Sequence, residues 1–384
     1  MNEDKNKILF FHNTLSWYRV DLFLYMQTIM NIKFIFTRDN ISNKVYNLSS
    51  QEYSNKNINC NYIKKRNHFI EIFKVLCKEN YDIIVLPPMD SIGEIIDSLI
   101  ILMVGKFKKK KVSYFWERWE LEKPELSFKK KLKRNISKIY LKTIFKYIDT
   151  FIAPGENTKR YFESMDVDCK KIFIAPDSSD VKDKKIYFNI REKYNIKDNE
   201  IIILFYGRII ELKGIEYLLN SFKILQNDFE NVKLIICGDG EYKKKCEQLV
   251  LKNNIENVFF LGKIPTKFRA TFFSQIDIFT LPSIEINGQV EAWGLTVNEV
   301  MSFGKPIVIS NAVGSYRDLV VNEKNGYVVE QKDSFDLYLA LKKLCADSNK
   351  RKTMGDSSIE IIKNYTYEKM ANGFKDAFFY KGKV

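Results

Sequence analysis

The chain has 384 residues, 45% of them hydrophobic and 14% aromatic, with a net charge of +14. At roughly 100 to 200 residues per domain this length calls for two domains, and the apolar content excludes disorder. Six scattered cysteines (Cys60, Cys77, Cys169, Cys237, Cys246, Cys345) without a Cys-x-x-Cys pair, and only two histidines, argue against disulfide frameworks and zinc sites, so the cytoplasm is the expected compartment.

The opening MNEDKNKILFFHN has charges on both sides of a short apolar run and no small-residue cleavage site, so no secretory leader is expected. The first half then alternates short apolar strands with helical patterns. Strands are expected over 7–11, 32–36, 82–86, 111–115, 150–154 and 171–176, and helices over 18–30, 69–79, 91–104, 128–147 and 156–164. The apolar run at 92–104 is interrupted by Glu94 and Asp97 and falls short of the roughly 20 residues that span a bilayer, so no membrane span is expected. The second half repeats the plan, with strands over 201–206, 232–238, 257–262, 276–282, 306–310 and 326–330. Its helices are expected over 214–227, 241–253, 266–275, 294–303 and 314–320, with further helices to the end.

Near-continuous apolar strands between helical segments indicate parallel sheets buried on both faces. The polar stretch 177–200, with six acidic and six basic residues, marks a joint. The expected fold is α/β, with two Rossmann-like doubly wound domains over 1–180 and 181–360 facing across a cleft. A helical segment over 361–384 is long enough to run back across the joint. Ligands are therefore sought in strand-to-helix loops at the carboxyl ends of the strands.

Charge is concentrated: positions 101–148 hold 15 basic and 4 acidic residues, a local balance of +11. The runs are Lys108 to Lys111 and FKKKLKRNISKIYLK from Phe128, the latter with apolar residues at helical spacing. A stretch of this kind suits an anionic membrane surface, here over 106–146, or serves as a solvated helix face. Nucleic acid is not an expected partner.

Three loops of the second half carry chemistry. In YGRIIELKG, strand 201–206 ends at Gly207, and Arg208 and Lys213 flank the next helix start, a cationic setting for a diphosphate. In CGDGEYKKK, Gly238 and Gly240 permit close backbone approach to a ligand or a tight turn. In EAWGLTVNEVMSFGKPIVIS, Glu291 precedes a helix that contains Glu299. Gly294 permits the turn, and the N–H groups of Leu295 and Thr296 open toward an anion. Carboxylates beside an anion site call for hydroxyls to accept from, and sugars supply them.

The order GRIIELKG, CGDG, LPS at 281–283, the two glutamates of EAWGLTVNE and then GKPIV resembles the retaining, GT-B-fold glycosyltransferases of family 4 (glycosyl transferases group 1). The resemblance implies transfer of a sugar from a nucleotide-diphosphate sugar, a UDP-sugar foremost, to a hydroxyl acceptor. Retention would proceed by same-face attack in which the leaving phosphate oxygen takes the acceptor proton. It implies that Arg208 and Lys213 hold the diphosphate, that Glu299 binds the ribose and Glu291 the donor sugar, and that Lys263 and Ile264 border the base. It further implies a lipid-linked or oligosaccharide acceptor, in bacterial surface polysaccharide or glycolipid synthesis on the inner face of the plasma membrane.

The first half departs from the family pattern. In place of a glycine-rich loop it has HNTLSWYRVDLF, which makes Ser16, Tyr18 and Arg19 acceptor-side candidates together with His12. Where many members carry a histidine it reads YFWERWE, placing Glu117 and Arg118 there. His68, at a helix start, is expected at the surface. Asp166 and Asp168 form an Asp-x-Asp that in another class binds a metal, but they fall in a turn. With Arg208 and Lys213 as countercharge neither metal nor cofactor is expected. The alternatives are an epimerase or hydrolase of the same fold, which needs acid and base residues not found here, and a non-catalytic polyanion-binding relative.

Overall fold

The computed structural model describes residues 6–38, 58–64, 66–122 and 124–382. Among these residues thirteen strands form two parallel sheets. The first sheet contains β1 (Ile8–His12), β2 (Ile32–Phe36), β3 (Cys60–Tyr62), β4 (Ile83–Leu86), β5 (Lys111–Phe115), β6 (Thr150–Ala153) and β7 (Ile172–Ile174). Its order is β3-β2-β1-β4-β5-β6-β7, so the winding reverses between β1 and β4. The second contains β8 (Ile201–Tyr206), β9 (Val232–Cys237), β10 (Val258–Gly262), β11 (Ile278–Leu281), β12 (Ile307–Ser310) and β13 (Gly326–Val329), in the order β10-β9-β8-β11-β12-β13. It reverses between β8 and β11, and at such switch points the loops diverge and leave room for a ligand.

Strand periodicity located every strand except β3, whose residues Cys60, Asn61 and Tyr62 are polar and largely exposed at the sheet edge. The expected 18–30 helix is a 3-10 turn, Trp17–Arg19, followed by the helix Val20–Ile29. The 294–303 helix shortens to Thr296–Met301.

Two compact units result. The first comprises residues 1–118, 131–176 and 367–384, and the second 119–130 and 177–366. The division differs from boundaries at 180 and 360 in two ways. Residues 119–130, which follow β5 in the chain, belong to the second unit, and the first unit regains the chain only at 367. Both assignments rest on tertiary contacts: Trp119 Nε1 donates to the Glu291 carbonyl at 2.9 Å, and the last helix, Tyr367–Phe379, packs on the first sheet.

In the first unit Phe10, Phe34, Phe23 and Phe374 join the Val20–Ile29 and Tyr367–Phe379 helices to one face of the sheet. The other core gathers the strands of the second sheet with the helices around them, including Leu218, Phe222, Val297, Val300 and Leu341. No helix among the described residues is long and apolar enough to cross a membrane.

The last helix approaches β7 so closely that a Cβ at Gly373 would lie 2.2 Å from the Ile174 carbonyl oxygen and 2.6 Å from the Ala175 Cα. Backbone cannot yield as a flexible side chain can. Gly373→Ala is expected to destabilise the first unit by about 1–3 kcal/mol, read as faster amide exchange in β6 and β7, with exchange in the second sheet unchanged.

Candidate functional site

In the second unit the loops that leave β8 and β9 are joined backbone to backbone. Gly207 N–H donates to the Cys237 carbonyl (3.0 Å) and Ile209 N–H to the Asp239 carbonyl (2.8 Å). A Cβ at Gly238 would sit 1.7 Å from the Gly207 oxygen, and one at Gly240 2.3 Å from the Ile209 oxygen. Contact with the neighbouring loop thus accounts for both glycines of CGDG.

The loop after β8 leads Arg208 to an exposed position and continues into the 3-10 turn Glu211–Lys213, which precedes the helix Ile215–Leu225. Ile284 N–H donates to the Leu212 carbonyl at 2.8 Å, drawing the loop after β11 over this turn. Lys213 is buried, and its Nζ lies 2.5 Å from Glu291 Oε2. Glu291 is held by its own backbone: its N–H donates to the Ala312 carbonyl, and its carbonyl accepts from Gly314 N–H and from the Trp119 indole. The expected diphosphate-binding lysine and the expected sugar-binding glutamate are therefore partners of each other in this structure. An ion pair closed off to this degree persists only with both members present, because removing one leaves a desolvated charge.

Gly294 forms the turn before the Thr296–Met301 helix, where Val297 N–H returns to the Gly294 carbonyl at 2.8 Å. Leu295 and Thr296 are half-buried at its start. Trp293 Nε1 donates to Asn298 Oδ1 (2.8 Å), and Asn298 Nδ2 to the Asp177 carbonyl (2.9 Å), which ties the turn to the polar joint.

Glu299, on the same helix, is 3% exposed. Its Oε1 accepts from Ser179 Oγ (2.7 Å) and Arg269 Nη1 (2.8 Å). Burial pushes its carboxyl upward in pKa, while Arg269 and Ser179 oppose that shift. The Arg269 guanidinium lies 5.8 Å from the Tyr206 ring centroid, and Tyr206, whose hydroxyl burial lifts to about 12, reaches the Ile264 carbonyl at 3.4 Å. Exposed Lys263 and half-buried Ile264 follow β10 in the same loop.

The structure sets Ser179 and Arg269 against Glu299, and Tyr206 against Ile264, and sequence reasoning had singled out none of these three partners. Arg269 had a readable signal, a cation in a helical stretch otherwise buried through Ala270, Phe272 and Phe273. Ser179 had none, since the polar joint carries no periodicity.

In the first unit β1 ends at His12, whose Nδ1 lies 3.1 Å from the Thr14 carbonyl. Only a protonated Nδ1 can donate there, so the neutral ring keeps its lone pair on Nε2. Asn13 Nδ2 donates to Glu94 Oε1 (3.3 Å) and Ser91 Oγ to Glu94 Oε2 (2.9 Å), which adds the loop after β4 to the cluster. Buried Ser16 opens the Trp17–Arg19 turn. Arg19 is 3% exposed, ion-paired with Glu117, and set over the rings of Tyr18 and Phe115 at 5.3 and 5.9 Å. Arg19 and Glu117 thus neutralise one another. Arg118 lies over the Trp116 ring at 5.4 Å, and the Trp116 indole donates to Asp90 Oδ1 at 3.0 Å.

The expectation that His68 lies at the surface is overturned. Its Nε2 is 2.9 Å from Oδ1 of Asp97, a fully buried carboxylate that also faces Arg38 Nη1 at 2.8 Å, so buried Asp97 draws the Arg38 guanidinium and the His68 ring inward. Asp166 and Asp168 have local roles: Asp166 pairs with Lys142 at 2.7 Å, and Asp168 caps the 3-10 turn Cys169–Lys171. Among the described residues no three His, Cys, Asp or Glu side chains are grouped to hold a metal ion.

Residues 187–360 match the family model of glycosyl transferases group 1. An uncharacterised glycosyltransferase of Methanocaldococcus jannaschii is 31% identical over 175 residues, 46% of this chain and 47% of that protein. The capsular polysaccharide biosynthesis glycosyltransferase CapM of Staphylococcus aureus is 28% identical over 179 residues, 46% of this chain and 45% of that protein. The chain thus spans about half the length of these relatives. Among solved structures, Anabaena HepE in complex with UDP superposes with a TM-score of 0.73 at 16% identity, covering 96% of this chain and 98% of that one. The second unit therefore carries a glycosyl transferases group 1 domain, and the chain has two Rossmann-like parallel-sheet domains of the kind found in its GT-B glycosyltransferase neighbours.

Burial, with Arg19 adding to it, lowers the His12 imidazole pKa from 6.5 to about 4. The folded chain therefore refuses a proton that the unfolded chain accepts. Stability contributed by this residue is present above pH 6.5 and falls as pH drops toward 4, by at most about 1.4 kcal/mol per pH unit. An NMR titration of His12 is expected to show a midpoint near 4, and His12→Gln is expected to flatten that part of the stability profile.

Proposed function

We propose that the chain is a retaining, metal-independent glycosyltransferase that moves a sugar from a UDP-sugar to a hydroxyl of a lipid-linked or oligosaccharide acceptor. The observation that carries the reading is the Lys213–Glu291 pair, set within the group 1 domain in the loops after β8 and β11, where that sheet reverses its winding. A cation and a carboxylate that already neutralise one another form a site prepared for a ligand with both an anionic part and hydroxyls. On donor entry Lys213 would exchange Glu291 for a diphosphate oxygen, joined by Arg208 from the same loop. Glu291 would turn to the sugar hydroxyls.

Glu299, oriented by Arg269 and Ser179, would accept from the ribose, and the backbone at Gly294, Leu295 and Thr296 would face the diphosphate. Lys263 and Ile264 would border the base. The preference for UDP draws on the likeness to HepE, which was crystallised with that nucleotide, and the polysaccharide context on the likeness to CapM.

Transfer needs charge stabilisation on the leaving diphosphate, an oriented acceptor hydroxyl and exclusion of water. Arg208 and Lys213 would provide the first. The departing phosphate oxygen would take the acceptor proton, so no protein base is required. In the first unit the acceptor would be met by His12 Nε2, Ser16, Tyr18, Arg118 and the Arg19–Glu117 pair. With neutral imidazole, His12 serves there as a hydrogen-bond acceptor.

The test is a panel of UDP-, GDP- and ADP-sugars scored by thermal shift, followed by product analysis. A nucleotide at 100 times its dissociation constant should add about 2.7 kcal/mol to stability. Arg208→Ala and Lys213→Ala are each expected to lower turnover about a hundredfold or more, and near-normal rates in both would overturn the assignment. Glu299→Gln is expected to weaken UDP itself, whereas Glu291→Gln spares UDP and depresses transfer. EDTA is expected to change the rate by less than about twofold, since the countercharge comes from side chains.

A further inference from the structure

We propose that residues 119–122 and 124–126, in the second unit, act as a strap that sets the Glu291 backbone, and that Trp119 is a positioning residue for sugar transfer. The inference rests on the reading of Glu291 as the donor-sugar contact, and the amide-exchange measurement below keeps the two separable.

Trp119 is 4% exposed, and its indole N–H donates to the Glu291 carbonyl at 2.9 Å from 172 positions earlier in the chain. The same oxygen accepts from Gly314 N–H at 2.9 Å, so both of its lone pairs are in use. The Glu291 N–H donates in turn to the Ala312 carbonyl at 3.2 Å. A Cβ at Gly314 would lie 1.8 Å from the Ala292 oxygen and 2.9 Å from Trp119 Nε1, so the missing side chain is what admits the indole. The Trp119 ring also neighbours Tyr316, with centroids 6.2 Å apart.

The loop that leads into Glu291 is tied to the same segment. Ile286 and Gln289 exchange backbone hydrogen bonds at 2.9 and 3.0 Å around Asn287 and Gly288, whose φ values of 56° and 84° suit the tight turn that an Asn-Gly pair favours. Glu285, 1% exposed, anchors this turn. One of its carboxylate oxygens accepts from Gly288 N–H and the other from Glu125 N–H, the latter at 3.2 Å. Lys332 Nζ lies 2.7 Å from Glu125 Oε2 and 3.9 Å from Glu285 Oε2. A Cβ at Gly288 would come within 3.1 Å of Leu126 Cδ2.

A segment required only to continue the chain needs neither a buried indole nor a buried carboxylate, which is costly unless paired and hydrogen-bonded. These contacts bracket Glu291, at 285–288 on one side and 314–316 on the other, whereas Glu299 is held by Ser179 and Arg269. The strap therefore bears on the sugar-facing carboxylate and not on the ribose-facing one. Misplacing a substrate-positioning group by about 1 Å slows a reaction about a hundredfold, so a loosened Glu291 backbone acts on turnover before it acts on affinity.

The test uses two variants of the full chain. Trp119→Phe keeps a ring beside Tyr316 and removes the N–H, and Glu285→Gln leaves one oxygen for two N–H donors. UDP release is followed with UDP-glucose, UDP-galactose and UDP-N-acetylglucosamine as donors and octyl glucoside as a hydroxyl acceptor. Each variant is expected to lower kcat about tenfold to a hundredfold, with donor KM and UDP-induced thermal shift close to the parent's. In a Glu291→Gln background Trp119→Phe should change the rate by less than about twofold, because its effect passes through that carboxylate. Amide exchange at Ile286, Gln289 and Glu291 should quicken about tenfold in both variants, with β8 and β9 unchanged. Equal losses of kcat in the two backgrounds would overturn the proposal, as would unaltered kcat or a weakened response to UDP. If UDP fails to stabilise the parent, or none of the three donors is consumed, the donor reading falls and exchange alone decides the strap. Unchanged exchange at those three amides would overturn it, and faster exchange would leave it standing as the element that sets Glu291.

Discussion

Lys213 and Glu291 are 78 residues apart in the chain and neutralise one another where water has little access. Neither charge is tolerated there alone, since a desolvated ion without a partner costs several kcal/mol. The loop after β8 and the loop after β11 must therefore arrive together, and much of the second unit's construction serves that requirement. The Leu212 carbonyl receives Ile284, and Ala312, Gly314 and Trp119 hold the Glu291 backbone. A second buried carboxylate obeys the same rule through other partners, Glu299 with Arg269 and Ser179. Two carboxylates of the second unit are thus each neutralised by a cation.

The first unit handles charge in a related way with a different result. Arg19 with Glu117, and Asp97 with Arg38 and His68, are matched internally near the carboxyl ends of β1, β2 and β5. Burial, with the Arg19 charge nearby, is why the half-buried His12 imidazole resists protonation. A neutral, tautomerically fixed acceptor suits recognition of a hydroxyl better than capture of an anion.

Basic residues in this chain perform two kinds of work that composition cannot separate. Lys108, Lys110 and Lys111 secure helix ends and strand starts, and Lys111 donates to three carbonyls at the end of the last helix. Lys129 to Lys133 occupy the exposed first turns of a helix whose buried residues begin only at Leu141. A helix built in this way is anchored at one end and presents the other to whatever lies outside.

The sequence by itself determined the alternation of strands and helices, because burying a parallel sheet on both faces requires continuous apolar runs that have no other use. It failed at β3, an exposed edge where no such demand operates. It also located the loops bearing Arg208, Lys213, Glu291 and Glu299, since residue type and spacing survive in the linear pattern. Only the tertiary structure decided which charges face one another. Lys213 meets Glu291, Glu299 meets Arg269, His68 meets Asp97, and residues 119–130 join the second unit although they follow a strand of the first. Those pairings depend on where loops from distant strands converge, and convergence is set by strand order, which periodicity does not encode.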